Sequence, residues 1–460
     1  MMDAKHVHMV GIGGIGLSAI ARILLARGVT VSGSDQSSTP ITEALAAQGA
    51  RIYPSHRAEN IGTDTDLVVI TSAVGAENPE VREAETRGIR VIKRREFLAE
   101  LTAGCRTVAV AGSHGKTTTT ALIGLMLERG GLDPSVVVGG VVPEWEANAR
   151  PGRGEYFVIE ADEYDNAFLG LTPFIAVITN VDYDHPDIFP TRGAYVRAFG
   201  EFAGRATTDG AVVVCKEDEG AQQAAAQARS RVIQYGLQEG LDWHAVGIRP
   251  NDSGGTDFSA IRNGEALGAV SLRIPGRHNV LNALAALAAA DFAGVSFDAC
   301  RQVLDRYAGA GRRFEVRGEF DGVTVVDDYA HHPSEIRATL AAARERFPGR
   351  EVWAVFQPHT YTRTRALLDE FAEAFSQADK VIVTEIYASR EHDTLGLSGR
   401  DIVARMNHPA ALFIPTLDEV VAYIDQHVKS GTVVLTLGAG DVNRAGERLA
   451  DLRNVQGFRT

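Results

Sequence analysis

The sequence predicts an α/β protein of three successive units, each built on a parallel sheet, and three observations carry that prediction. A glycine fingerprint, Gly11-x-Gly13-x-x-Gly16, stands between an apolar strand and a helical pattern near the start of the chain. A second glycine loop, Gly112 to Thr117, again joins a strand to a helix. Past a change of character at Gly309–Gly311, strand runs and helical patterns alternate once more. Strands that alternate with helical segments imply crossover connections, and hence parallel pairing.

Composition narrows the class. The chain has 460 residues, enough for two to four domains of about 150 residues each. Apolar residues make up 45%, ample material for several cores. No apolar run approaches the roughly 20 residues of a membrane span, and no signal peptide precedes the first strand, so a cytoplasmic protein is expected. Cys105, Cys215 and Cys300 lie far apart without CxxC spacing, as free thiols of a reducing compartment do. A net charge of −13 argues against broad binding to nucleic acid or a membrane surface. An anionic ligand therefore requires local basic and backbone-amide sites.

In the first unit, HVHMVGIGGIG (His6–Gly16) is a strand and a glycine turn, followed by a helix through Ile20, Ile23 and Leu24. The next strand, Val29–Gly33, ends at Asp35. This is a βαβ dinucleotide fingerprint, with an acidic residue where a ribose hydroxyl is read. The same turn serves any pyrophosphate, or simply packs strand on helix. Leu67–Ser72, a helix near Pro79–Arg87 and Ile89–Ile92 continue the alternation, and the unit closes near Thr102–Gly104.

The second unit opens with TVAVAGSHGKTTTT (Thr107–Thr120). A strand, a glycine loop, Lys116-Thr117 and a helix form a phosphate cradle. Glycines let backbone N–H groups approach the anion, the helix N-terminus favours its charge, Lys116 reaches the terminal phosphates, and the Thr117 hydroxyl can hold magnesium. Val110 stands where the strict consensus has its first glycine, so the loop is a shortened variant. Two strand runs follow and end in acidic clusters: Tyr156–Ile159 in EADEYD, and Ile175–Thr179 in NVDYDHPD. Both clusters fall at the carboxyl ends of parallel strands, the rim where open α/β sheets bind ligands. Glu160 and His185 could thus complete a metal–nucleotide site with Thr117, although neutral histidine is an unusual ligand for so hard an ion. Residues Ala206–Ile274 read as sheet additions and loops, and Ile274–Ala290 as an alanine-rich helix with Asn279 and Asn282 on one face of its first turn. Asn279 could equally be a helix cap.

In the third unit, strand runs at Val323–Val326, Val352–Phe356, Lys380–Val383 and Val433–Leu437 alternate with helices at Ser334–Arg346, Arg365–Ala378 and Leu417–Val428. The strand ends carry DDYAHHP, FQPHTYTRT and LGAGD. Arg312, Arg313 and Arg363 are candidates for a phosphate or carboxylate clamp. No GxSxG or catalytic-cysteine pattern occurs. Catalysis by positioning and electrostatics, as in phosphoryl transfer, is the chemistry that remains.

Taken together, GIGGIG with Ser18, GSHGKTTTT, EADEYD, NVDYDHPD, GRHNVLNALAA, GRRFE, DDYAHHPSEI, FQPHTYTRT and LGAGD resemble the Mur ligase family, in the family's order and over almost the whole chain. The resemblance implies a Rossmann-like N-terminal domain (1–104) for a UDP-linked substrate and a central P-loop ATPase-type domain (105–310) for ATP. A C-terminal Rossmann-like α/β domain (311–460) would serve the amino acid and the nucleotide. It implies an ATP-dependent amide-bond ligase that uses Mg2+ and joins L-alanine to the carboxylate of UDP-N-acetylmuramate through an acyl-phosphate, in a monomer or weak homodimer. By motif position, Gly112, Ser113, His114, Gly115, Lys116, Thr117 and Thr118 would bind ATP, together with Asn279, Asn282, Arg313 and Asp328. Metal would be held by Thr117, Glu160 and His185. Lys116, Glu160, His185, Asn279, Arg313 and Asp328 would form the catalytic set. Gly13, Gly14, Ile15, Asp35, His56 and Ser72 would bind the uridine nucleotide, and Tyr329, His331 and Arg363 would lie near the amino acid and the reacting carboxylate. Ser113 replaces the commoner threonine, and Thr360 stands where some relatives carry a second arginine. EADEYD also fits a recycling ligase of the same family that uses a whole tripeptide. The more distant readings are a nicotinamide-dependent oxidoreductase, from Gly11–Gly16 and Asp35 alone, and a non-enzymatic module whose loop senses ATP.

Overall fold

The computed structural model describes residues 4–71, 73–389 and 391–456, with side chains through residue 449. Its strands fall into three sheets. The first contains β1 (His6–Val10), β2 (Thr30–Ser34), β3 (Arg51–Tyr53), β4 (Leu67–Ile70) and β5 (Arg90–Lys93). All neighbours are parallel, in the order β3-β2-β1-β4-β5. The order reverses between β1 and β4, so the Gly11–Gly16 turn and Thr71 meet at the switch point, where such sheets open a crevice.

The central sheet contains β6 (Arg106–Ala111), β7 (Ser135–Val142), β8 (Ala147–Arg150), β9 (Tyr156–Glu160), β10 (Ile175–Ile178), β11 (Ala211–Cys215), β12 (Arg231–Gly236), β13 (Trp243–Pro250), β14 (Thr256–Arg262) and β15 (Glu265–Leu272). Its order is β15-β14-β13-β12-β11-β10-β6-β9-β7-β8. The phosphate-loop strand β6 thus sits between β9 and β10, whose ends carry the two acidic clusters. Pairing of Val110 with Glu160 and of Ala111 with Ile178 brings the three strand ends to one rim. Antiparallel hairpins at both edges depart from a purely parallel sheet. They run through polar, glycine-rich turns such as Asn263-Gly264, which read as loops in sequence.

Behind the sheet, the helix Arg277–Phe292 is buried nearly all round and packs against the phosphate-loop helix Lys116–Arg129. Alanine at six of its positions, among them Ala283, Ala285 and Ala286, keeps its girth small enough for that approach. A helix apolar on every face belongs in a core.

The third sheet contains β16 (Glu315–Phe320), β17 (Val323–Asp328), β18 (Glu351–Phe356), β19 (Lys380–Val383), β20 (Ala411–Phe413) and β21 (Thr432–Leu437), in the order β16-β17-β21-β18-β19-β20. Only β16 is antiparallel, paired with β17 across a tight Asp321-Gly322 turn. The single helix expected over Arg365–Ala378 is instead two short helices, Tyr361–Ala366 and Leu368–Glu373. They break at Leu367, whose φ of −118° is not helical. Asp328, Leu437 and Phe356 lie side by side at the carboxyl ends of β17, β21 and β18. This rim faces the central one.

Leu284 is fully buried between the two central helices and the sheet. Leu284→Ala should lower stability by about 2–5 kcal/mol, read as a lower urea midpoint for the transition that exposes the central domain.

Candidate functional site

The phosphate loop is shaped by two glycines that no other residue can replace. Gly112 has φ +141°, and a Cβ there would lie 1.9 Å from Thr179 Oγ1. Gly115 has φ +80°, and its Cβ would lie 2.3 Å from Asn282 Oδ1. Loop and helix therefore touch at main-chain distance, as a backbone that must reach phosphate oxygens requires. Lys116 Nζ donates to both carboxylate oxygens of Glu163, at 3.0 and 2.8 Å, and to Gly112 O at 2.5 Å. Burial opposes the lysine charge, but Glu163, Asp162 and Glu160 raise its pKa. Burial likewise opposes the Glu163 carboxylate, which Lys116 and His185 nonetheless hold down to about 2. The Tyr195 hydroxyl donates to Glu163 Oε1 at 3.2 Å and meets Ser113 Oγ at 3.0 Å, which ties the pair to the loop.

Thr117 Oγ1 donates to Glu160 Oε1 at 3.2 Å, and Gly139 N–H holds the other Glu160 oxygen at 2.7 Å. A hydroxyl and a carboxylate at this spacing form an oxygen donor set that fits magnesium. His185 has φ +54°, with Nε2 3.6 Å from Glu163 and 3.7 Å from Asp184. Burial lowers its pKa, but the two carboxylates outweigh that and raise it.

Three cavities meet around these groups. One of about 300 Å³ lies between the central and third domains. Its lining includes His114, Gly115, Thr118, Asn279, Asn282, Arg313 and Asp328 from the residues singled out in sequence. Asp328 accepts from Phe314 N at 2.7 Å and Ala330 N at 2.8 Å, and burial pushes its carboxyl up to about 6. Arg313 lies over the Tyr329 ring at 5.1 Å. Asn279 is not the helix cap, because Gly276 holds that position. Asn279 instead donates to Pro275 O at 2.7 Å and accepts from Asn282 at 3.2 Å. A second cavity, of about 310 Å³, is lined by Tyr164, His185, Tyr329, His331, His359 and Arg363. A third, of about 190 Å³, joins Gly14, Ile15 and Thr71 to Lys93, Arg94 and Tyr164. Asp162 and Tyr164 line both the second and the third.

The structure gives several of the singled-out residues partners within the chain. Arg363 donates through Nε and Nη2 to Asp184, at 2.8 and 3.1 Å, both side chains being buried, so it ties the third domain to the loop after β10 while still lining the second cavity. Arg312 is bound to Asp327, Gly438 O and Gly440 O, and braces the third rim. Asp35 accepts from Gly13 N at 3.0 Å and Ser37 N at 3.2 Å, turned onto its own loop. His56 bonds Ser34 and buried Glu80. Neither Asp35 nor His56 is among the residues of the third cavity. Ser72 lies outside the described residues.

Residues that sequence reasoning passed over complete the picture. Glu163, Asp182, Asp184 and Glu335 sit inside quoted motifs, but their partners are remote in sequence. Arg94 pairs with Asp162 at 3.3 Å, and Asn148 donates to Ile15 O and Ser18 Oγ, which docks the first domain on the second. His278, whose pKa desolvation holds down to about 4 although part of its side chain is exposed, and Tyr235 face the first cavity without a motif to mark them.

His114 bridges the central and third domains, with Nε2 3.2 Å from Asp182 and Nδ1 3.2 Å from Glu335. Burial opposes its charge, yet Glu335 and Asp182 push its pKa up to about 9 from 6.5. The folded pKa is the higher one. This stabilisation is therefore fully present below pH 6.5 and lost as pH rises through about 9. Melting temperatures should fall across that window in the wild type, and more gently in His114→Asn. A second test concerns the loop: Gly112→Ala should leave the far-ultraviolet dichroism unchanged while weakening ATP binding at least about tenfold by calorimetry, since its Cβ forces the loop off Thr179.

Three family models match the chain in succession: the Mur ligase family catalytic domain over residues 6–106, the Mur ligase middle domain over 110–290, and the Mur ligase glutamate ligase domain over 312–440. A UDP-N-acetylmuramate–L-alanine ligase of Salinibacter ruber is 45% identical, over 98% of this chain and 96% of that protein. The crystal structure of a UDP-N-acetylmuramate-alanine ligase from Thermotoga maritima superposes with a TM-score of 0.82 at 30% identity, covering 98% of this chain and 100% of that one. A murein peptide ligase of Psychrobacter arcticus superposes at 0.73 with 26% identity, over 97% and 98% of the two chains. With a glycine turn, a phosphate cradle and a third parallel sheet converging on shared cavities, and with family models matching all three in order, the chain belongs to the Mur ligase family.

Proposed function

We propose that the chain is an ATP-dependent ligase that joins L-alanine to the carboxylate of UDP-N-acetylmuramate, releasing ADP and phosphate, in the cytoplasmic synthesis of peptidoglycan precursors. The observation that carries the reading is full-length identity, 43–46%, to relatives that bear this one activity. The recycling ligase is the weaker reading, since its structural relative superposes less closely than the alanine ligase does. Membership in the family displaces the nicotinamide and sensor readings. We place the working domain boundaries at 104/105 and 310/311, between the last strand of one sheet and the first of the next.

The cavities suggest how the ligands meet. UDP would lie by Gly14, Ile15 and Arg94, ATP in the cavity of Asn279, Asn282, Arg313 and Asp328, and the muramyl carboxylate with L-alanine beside Tyr164, His331 and Arg363. A carboxylate is a poor acyl donor because its leaving group would be oxide. Transfer of the terminal phosphoryl group to it creates a phosphate leaving group. The amine of L-alanine then adds to the acyl carbon, the tetrahedral intermediate collapses, and the amide forms as phosphate departs. Lys116 and the loop N–H groups would offset charge on the phosphoryl oxygens, with Arg313 closing from the third domain. Thr117 and Glu160 would hold Mg2+, which supplies further charge neutralisation when bound. His331 is half-buried and held neutral, its pKa lowered to about 4 chiefly by desolvation, and its Nδ1 donates to Tyr329 O at 2.9 Å. Nε2 is then an acceptor for the incoming amine.

Lys116→Ala should slow ADP release with UDP-N-acetylmuramate and L-alanine by about 10²–10³-fold, on the scale of one lost electrostatic donor. A wild-type rate in that variant would remove this loop from the mechanism. The assay should also compare L-alanine with glycine, L-serine and the tripeptide. Turnover with the tripeptide alone would transfer the chain to the recycling reaction.

A further inference from the structure

Beside the oxygen-lined magnesium pair, a nitrogen-rich cluster spans the seam between the central and third domains. His114 projects from the phosphate loop, Asp182 from the loop after β10, and His332 from the N-cap of the helix Pro333–Arg346. One ligand atom from each lies within 4.8 Å of the other two. Asp182 Oδ2 is 3.2 Å from His114 Nε2 and 3.4 Å from His332 Nδ1. A tetrahedral zinc ion with bonds near 2.0–2.1 Å sets its ligand atoms about 3.3–3.4 Å apart. Two of the three edges already have that length.

The far nitrogen of each ring is also engaged. His114 Nδ1 lies 3.2 Å from Glu335 Oε1, and His332 Nε2 lies 3.3 Å from Tyr183 O. If each far nitrogen carries the hydrogen, each near nitrogen presents a lone pair to the cluster centre. A carboxylate or carbonyl behind a ligating imidazole is how proteins fix the ring and tautomer at metal sites. Glu335 is itself fixed, since its other oxygen accepts from His331 N at 3.0 Å and His332 N at 3.3 Å.

From this geometry we infer a binding site for a divalent transition metal of the zinc class, formed by His114, Asp182 and His332, with Glu335 as a positioning residue. Two imidazoles and one carboxylate select such ions over magnesium, which prefers an all-oxygen shell. Binding exchanges the His114 proton for the ion and breaks the 3.4 Å bond from Ser334 N to His332 Nδ1. The ligands come from two domains, and His114 and Glu335 line the 300 Å³ cavity. A bound ion therefore staples the third domain onto the central one at the nucleotide's edge. The site does not rest on the ligase reading and would stand if the substrates proved different.

Cobalt(II) is the direct probe, because four-coordinate nitrogen–oxygen cobalt has visible absorption that six-coordinate cobalt lacks. The full-length chain, titrated with cobalt chloride in millimolar magnesium and no nucleotide, should develop that band at one equivalent. His332→Ala and Asp182→Asn should abolish it, and Glu335→Gln, which keeps all three ligands, should weaken binding about 10–100-fold. Glu160→Gln, which removes the magnesium carboxylate, should leave the band intact. Circular dichroism and melting of each variant separate lost binding from lost folding. No band in the wild type, a band that survives in folded His332→Ala, or one that vanishes with Glu160→Gln or with excess magnesium would each overturn the assignment.

Discussion

The buried pairing of Asp184 with Arg363 is the constraint on which the site's assembly depends. Both side chains are nearly inaccessible, and two parallel N–H···O bonds cross from the third domain to the loop after β10. Neither charge can be left alone in such surroundings without a penalty of several kcal/mol. The domains are therefore held where both are satisfied. That registration also brings Ser334 onto Asp182, His332 onto Tyr183 O, and Glu335 onto His114. One short loop, Asp182 to His185, thus serves as seam, phosphate-loop support and edge of the substrate cavity.

The same economy governs the cations. Three basic groups facing the cavities already have acidic partners: Lys116 has Glu163, Arg363 has Asp184, and His114 has Glu335 and Asp182. In a chain with net charge −13, positive charge is thus concentrated locally, each cation set against a carboxylate of its own.

Much of this was legible in the sequence because its signals are local. Strand, glycine turn and helix fall within a few residues at Gly11–Gly16 and at Gly112–Thr117, and the structure bears out both. The acidic clusters could be placed on the phosphate-loop rim because parallel sheets put strand ends there. What sequence could not show depends on partners far along the chain. Arg363 read as a candidate clamp with no partner named, because Asp184, the carboxylate it pairs with, lies 179 residues away. Asp35 matched a ribose reader in position, yet its carboxylate folds onto Gly13 N. The break at Leu367 interrupts a stretch of good helix formers, because tertiary packing overrides propensity there. Sheet additions were legible over Ala206–Ile274, but their antiparallel pairing was not, because the turns are rich in the residues that also mark irregular loops.

The pairing of Lys116 with Glu163 has a further consequence for discrimination. The lysine is not waiting for an anion but is already satisfied by one, with Tyr195 and Gly112 O holding the arrangement in place. A phosphate must therefore compete with a tethered carboxylate of very high effective concentration. A free orthophosphate ion, which offers only a few contacts, loses that contest. On the proposed reading, a nucleoside triphosphate would win it through its base and ribose, and the internal carboxylate would act as a filter against the reaction's own small product.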